Sequence, residues 1–283
     1  MSDPGLLSNP SLIAIAAILL IGVPHGGLDG AVARRVGWPS GTGPWILFHL
    51  TYLLLAASVA GLWWLYPLPS LIFFLLISAL HFGSSDIRPI SAPTSKVAWL
   101  PLLAHGGLVV IAIPAFQSSA VEALFAVLVG ADYSLWLVQQ IQQLLLPWVA
   151  CLFAYGIYSI YQPRWRGALL NLAILVALAY LLPPLISFAV YFCLWHSRSH
   201  MQRIWHSIPA EQRRRSAIEA LIYSLLAYVA AALYFALRAN SGTVIEQAPA
   251  LIQLTFIGLA ALTVPHMLLV DFIHGHRGKQ QDD

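Results

Sequence analysis

Apolar residues fill the chain in runs of about 20, separated by short breaks that contain Pro, Gly or charged residues. Because roughly 20 apolar residues in a helix span the hydrocarbon core of a bilayer, the pattern predicts transmembrane helices near 11–31, 45–66, 70–87, 97–115, 138–161, 167–182, 184–204, 216–238 and 250–274. The segment 118–131 is too short to span and predicts an interfacial or re-entrant helix. The fold class is therefore an all-α polytopic bundle of about nine helices, with seven or eight as alternatives.

The composition supports a membrane protein. Hydrophobic residues make up 59% of the 283 residues and charged residues 9%, against roughly 25% charged residues in a soluble domain. The loops are short, which predicts one integral membrane domain over 1–283 with a polar C-terminal tail at 275–283. Cys151 and Cys193 lie within apolar runs, where small buried side chains are a better interpretation than a disulfide.

The basic residues carry topological information. With nine helices, all of the 14 Lys and Arg except Arg238 fall on one side, and positive residues collect on the cytoplasmic side of a membrane. We therefore predict a multi-pass protein of the plasma (inner) membrane, with the N-terminus outside and the C-terminus in the cytoplasm. The net charge of +3 then needs no anionic partner such as a nucleic acid.

Ionisable residues inside these helices are costly and indicate function. They recur as a His followed four or five residues later by an Asp: His25 and Asp29, His81 and Asp86, His266 and Asp271. A further helix carries His196 and His200, which lie on one helix face because residues four apart are neighbours.

Under the nine-helix topology, the helices with these histidines all run in one direction and carry them in the cytoplasmic half. The imidazoles can then share one layer and bind a transition metal. The three aspartates are expected to orient imidazoles without binding the metal. His266 is open between an orienting group, a packing partner and a replacement ligand, whereas His49 and His105 fit structural roles better. Gly26, Gly27 and Gly83 would allow close approach.

Four segments carry a resemblance: Pro24-His25-Gly26-Gly27-Leu28-Asp29, His81-Phe82-Gly83-Ser84-Ser85-Asp86, Trp195-His196-Ser197-Arg198-Ser199-His200 and Pro265-His266-Met267. Their order and spacing resemble the Brp/Blh family of bacterial and archaeal β-carotene 15,15'-dioxygenases, which make retinal for microbial rhodopsins. The resemblance implies a non-haem Fe(2+) site with His25, His81, His196 and His200 as ligands. It also implies that O₂ cleaves the central double bond of β-carotene, giving two all-trans-retinal molecules, and a functional link to a retinal-binding rhodopsin.

The lining of a substrate tunnel is not predicted, although several aromatic residues could contribute to it: Trp63, Trp64, Phe73, Phe74, Tyr191, Phe192 and Trp195. Other functions stay open at this point. A membrane di-iron oxygenase is disfavoured because the chain has ten histidines and no adjacent pair. A bis-histidine haem protein, a proton-coupled transporter and a non-cleaving carotenoid-binding or opsin-maturation paralogue are the remaining alternatives.

Overall fold

The computed structural model describes residues 8–92, 95–238 and 247–273, and these residues are almost entirely helical, with no strand among them. Ten helices follow one another: α1 (Asn9–Arg35), α2 (Thr42–Leu65), α3 (Pro67–Ile87), α4 (Trp99–Phe116), α5 (Ser118–Val129), α6 (Ala131–Tyr161), α7 (Pro163–Leu181), α8 (184–207), α9 (Ala210–Arg238) and α10 (248–273). The all-α architecture is confirmed. The predicted tail at 275–283 lies outside the described residues.

Within the described ranges, eight helices are long and apolar enough to cross a membrane, which makes this a multi-pass membrane protein. The two exceptions are α5 and α8. Helix α5 has 12 residues, so the prediction of a short, non-spanning helix is confirmed. Helix α8 forms where a spanning helix was predicted, but its second half contains His196, Arg198 and His200 and is too polar to meet this standard. Eight spans lie within the predicted range.

Most helix boundaries differ from the prediction by a few residues, and α9 begins at Ala210 rather than 216. The helix predicted at 138–161 begins at Ala131, because Gly130 adopts a φ of +90° and thus starts α6 directly after α5. Helix α1 continues to Arg35 rather than ending at 31. The predicted break between α7 and α8 is confirmed, since Pro183 is extended and Pro184 opens the next helix.

Three of the four helices that carry the histidine motifs depart from regular α-geometry, whereas α3 is a regular α-helix. Helix α1 has a π-helical segment at Ile18–Gly22 and a 3₁₀ segment at Val23–Leu28. The middle of α8 (Val190–Ser197) and the end of α10 (Leu268–Ile273) are π-helical. Proline cannot donate to the helical ladder, and π segments are frequent at functional sites. Irregular backbone therefore occurs at three of the four motifs, and a further π segment lies in α4 at Leu108–Ala112.

The described helices group into two compact units, of which the first comprises 8–14 and Leu71–His196. Helices α3 and α4 pack there at two glycines. A Cβ atom at Gly83 would overlap the Leu102 carbonyl oxygen, and one at Gly106 would overlap the Ala79 carbonyl oxygen. The predicted close approach at Gly83 is thus a backbone-to-backbone helix contact.

The second unit comprises 15–70 and the chain from Ser197 onwards. Its core joins α1, α2 and α10 through buried residues such as Val32, Phe48 and Leu269. Gly27 packs on α9, where a Cβ atom would lie 2.9 Å from the Ala220 carbonyl oxygen. Two helical turns further on, Arg34 forms a 2.6 Å ion pair with Glu219. These contacts fix α1 against α9 beside His25.

Candidate metal centre

Three buried histidines meet in the second unit, each from a different helix. His25 comes from α1, His200 from α8 and His266 from α10, and they are 8%, 3% and 2% exposed. The ring centroids of His266 lie 5.0 Å from those of both His25 and His200, and the remaining pair is 5.7 Å apart. The rings meet edge to face. Sequence reasoning predicted two of these residues as metal ligands and left His266 open.

A buried carboxylate holds one of these rings. Asp29 Oδ1 lies 2.7 Å from His266 Nδ1, and Asp29 Oδ2 accepts a 2.9 Å hydrogen bond from the Tyr52 hydroxyl. Asp29 therefore contacts a histidine of another helix, although the motif pairs it in sequence with His25. Tyr52 was missed by sequence reasoning, because a tyrosine in the apolar run of α2 belongs to no motif.

The Nδ1 contacts define the ring tautomers. A neutral His266 donates its Nδ1–H to the Asp29 carboxylate, and His25 Nδ1 contacts the Gly22 carbonyl oxygen, which can only accept a hydrogen bond. In this tautomer the lone pair is on Nε2 for both residues. Neutral imidazole with a carboxylate or carbonyl on the second nitrogen is the usual arrangement of metal-binding histidines.

The spacing of the three rings fits a shared metal ion. Imidazoles bound to one ion at about 2.1 Å and about 100° apart have ring centroids about 5 Å from each other, close to the observed separations. Among the described residues, no three His, Cys, Asp or Glu side chains already direct their donor atoms to a common point. Binding would therefore require the edge-to-face rings to rotate about their side-chain torsions without changing their separation.

The first unit holds a histidine pair. His81 on α3 and His196 on α8 are 2% and 1% exposed, and their ring centroids are 5.0 Å apart. Phe82 lies edge-on to His196 at 4.7 Å, and Phe192 stacks on it at 6.0 Å. Phe192 therefore packs against one side of this histidine pair.

A second carboxylate network lies in the first unit. Asp86 accepts a 3.1 Å hydrogen bond from the Tyr191 hydroxyl and lies 3.4 Å from His105 Nδ1. Both histidine and carboxylate are almost fully buried. His105 comes from α4, so Asp86 also contacts a histidine of another helix.

An apolar pocket of about 290 Å³ opens in the second unit beside the histidines. One end is formed by His25, His266 and Asp29. The walls come from α2, α9 and α10 and include Leu53 and Leu226, which are 64% and 60% exposed. Since both leucines face the surroundings of apolar spanning helices, the pocket leads from the lipid side to the buried imidazoles.

Other predicted residues are distributed as follows. His49 bonds at both ring nitrogens, to the Trp45 carbonyl and the Tyr223 hydroxyl at 2.7 Å each, in keeping with a structural role. Asp271 lies partly buried on the last turn of α10, and its orienting role stays a prediction.

His25 and His200 meet within the second unit, and His81 and His196 within the first. One four-histidine site stays a prediction as well.

Comparison with known proteins gives consistent matches along the chain. The sequence model of the family described as beta-carotene 15,15'-dioxygenase matches residues 16–274. A beta-carotene 15,15'-dioxygenase from uncultured marine bacterium 66A03 is 37% identical over 92% of both chains. A probable beta-carotene 15,15'-dioxygenase Blh from Halobacterium salinarum is 24% identical over 93% of this chain and 84% of its own. No solved structure matches significantly.

Proposed function

Because the chain belongs to the β-carotene 15,15'-dioxygenase family, we propose that it cleaves β-carotene at the central 15,15' double bond to give two all-trans-retinal molecules. The proposed balance is one β-carotene and one O₂ for two retinals, with one oxygen atom in each new aldehyde. The structural feature that carries the proposal is the apolar pocket that leads from the lipid-facing surface to buried histidines.

The proposed cofactor is Fe(2+), with His25, His81, His196 and His200 as ligands. Ferrous iron would supply the one-electron chemistry that allows O₂ to react with an alkene. The four imidazoles are almost fully buried, and neutral nitrogen donors of this kind suit iron. The networks at Asp29 and Asp86 would fix the orientation of neighbouring histidines, as carboxylates do around metal sites.

The protein's own contribution is binding, orientation and exclusion of water. β-Carotene dissolves in the bilayer core, so it can enter sideways between exposed leucines such as Leu53 and Leu226 without passing through water. A pocket of about 290 Å³ is at the small end of ligand-binding pockets and would hold part of the polyene. The part of the polyene bound there would lie beside His25 and His266.

The aromatic residues considered for a tunnel divide into two groups. Tyr191 and Phe192 are buried beside His196, where they can shape the surroundings of the reacting bond. Trp64 and Phe73 are 73% and 56% exposed and fit contact with lipid. The pocket is lined from α2 by two other aromatic side chains, Phe48 and Tyr52.

We further propose that the protein lies in the plasma membrane with the N-terminus outside and the C-terminus cytoplasmic, and that its retinal supplies a rhodopsin. Termini on opposite sides require an odd number of crossings, so this orientation includes α8 as a ninth span beside the eight apolar helices, and it rests on the distribution of Lys and Arg. Retinal is as apolar as its precursor apart from one aldehyde, so release into the same bilayer suits delivery to a membrane-embedded acceptor.

The test is expression in bacteria that accumulate β-carotene, followed by chromatography of retinal, retinol and residual carotene. The wild type should form retinoids as carotene disappears, and His196→Ala should form none. His206→Ala, at an exposed histidine that contacts the Gln202 carbonyl, is the matched control and should behave as wild type. Formation of shorter apocarotenals would show that cleavage occurs at a different double bond. Unchanged β-carotene in cells with correctly inserted wild-type protein would refute the proposal.

A further inference from the structure

The geometry points to His266 as a ligand of the same metal ion as His25 and His200, with its Nδ1 paired to Asp29. This inference rests on the proposed iron-dependent function and adds a residue to the four implied ligands. It commits His266 to metal binding, whereas the sequence left that residue open between ligation, orientation and packing.

The position of the ring is the first argument. The His266 ring lies 5.0 Å from both His25 and His200, closer to each than those two predicted ligands are to one another. An orienting residue would stand behind a ligand and contact its outer nitrogen. His266 instead lies among the predicted ligands, beside both of their rings.

The surroundings of Asp29 are the second argument. His25 already directs Nδ1 to its own helix at the Gly22 carbonyl oxygen, so it does not need Asp29 for orientation. Asp29 uses one oxygen for His266 and the other for Tyr52. A carboxylate that is almost fully buried and is itself fixed by a tyrosine is the outer part of a carboxylate–histidine–metal arrangement.

Comparison with His49 is the third argument. His49, on the same pocket, is surrounded by the rings of Trp45 and Phe48 and bonds to a tyrosine hydroxyl, as expected of a packing histidine. His266 is surrounded by two imidazoles and a carboxylate. Imidazoles backed by a carboxylate are a donor set that suits a shared transition-metal cation. The pocket wall includes His25 and His266, so that cation would face the substrate.

The experiment measures metal binding apart from catalysis. Purified protein in detergent is titrated with Fe(2+), and with Co(2+) as a probe whose visible spectrum depends on ligand number, in competition with a chelator. His266→Gln retains an N–H donor for Asp29 but lacks the imidazole nitrogen. We expect its metal affinity to fall about 100-fold or more and its Co(2+) spectrum to change, whereas Asp29→Asn should lower affinity by about 10–100-fold. His206→Ala should bind as wild type.

Two results would overturn the inference: His266→Gln with wild-type affinity and spectrum, or a loss of affinity in His206→Ala that matches the loss in His266→Gln. If His266→Gln does not elute as a monodisperse protein, His266→Gly titrated with imidazole decides. Imidazole that restores metal affinity and the Co(2+) spectrum supports a ligand at this position, and absence of any effect refutes it.

Retinal production is followed in parallel on the wild type. If the wild type cleaves β-carotene while His266→Gln binds metal normally, the inference about His266 fails and the proposed function stands. If the wild type binds metal through His266 but leaves β-carotene intact, the proposed function fails and the metal site stands.

Discussion

The crossing of α3 and α4 permits a prediction with a matched control. Gly106→Ala adds a single methyl group, which would overlap the Ala79 carbonyl oxygen of α3. Because the obstacle is backbone, no side-chain rotation relieves it and the two helices must separate. Gly156→Ala is the control, since nothing lies within 4 Å of the Cβ position at that residue.

The expected cost follows from this geometry. Relieving the overlap requires a separation of roughly 1 Å, and a gap of that size forfeits up to about half of the dispersion energy of the contacts it opens. Overpacking of this kind costs about 1–3 kcal/mol. In contrast, Gly156→Ala should be neutral or stabilise by up to about 1 kcal/mol, because alanine favours helix over glycine.

Gly106→Ala should also lower the rate of retinal formation, and this effect should be larger than expected from the loss of stability alone. Gly83, the other glycine of this crossing, is two residues from His81 on α3, so separation of the helices displaces that imidazole. A displacement of about 1 Å at a catalytic group can lower the rate about 100-fold. Thermal unfolding by tryptophan fluorescence in detergent, and retinal formation per mole of folded protein, measure the two effects. Equal stability of Gly106→Ala and Gly156→Ala would show that the helices do not depend on this contact.

Three further substitutions test separate parts of the site. Tyr52→Phe removes the hydroxyl that donates to Asp29 at 2.9 Å and should lower the free energy of unfolding by about 1.5–3 kcal/mol, measured by chemical unfolding. Ala227→Phe fills the pocket wall and should lower retinal formation at least tenfold with unchanged metal content, whereas the exposed Leu233→Phe should not. Asp86→Asn should lower both iron content and activity through the contact with His105, and wild-type values for both would exclude an orienting role.

The chain's hydrophobic pattern predicts most of the fold. A run of about 20 apolar residues in a bilayer must form a helix, because only a helix pairs all of its backbone polar groups within the segment. The pattern therefore predicts the spanning helices, and it also predicts the short helix α5 and the break before Pro184. Helix ends are less constrained. The start of α6 at Ala131 follows the positive φ of Gly130, and the last turn of α1 contains Arg34, whose ion-pair partner Glu219 lies 185 positions further along the chain.

The site could be predicted by residue type but not by partner. Spacing identifies His25 and Asp29 as neighbours on one helix face, yet it cannot state which helix packs against that face. The structure places His266 there, and in the first unit it places His105 beside Asp86. The π and 3₁₀ segments were equally inaccessible, because Pro24 and Pro265 show where regular hydrogen bonding fails but not how the backbone compensates.

Both units nevertheless use the aspartate of the His-to-Asp motif in the same way. In each, the carboxylate receives a tyrosine hydroxyl and faces a histidine Nδ1 from other helices: Tyr52 and His266 at Asp29, and Tyr191 and His105 at Asp86. His25 and Asp29, four residues apart, both line the pocket, whereas the spacing of five residues places Asp86 about 140° around α3 from His81. The histidine can then serve the site while the aspartate fixes a neighbouring helix. A helix that supplies both a ligand and an anchor couples the position of one imidazole to that of the next, and substitution of either aspartate should therefore disturb a histidine on a different helix.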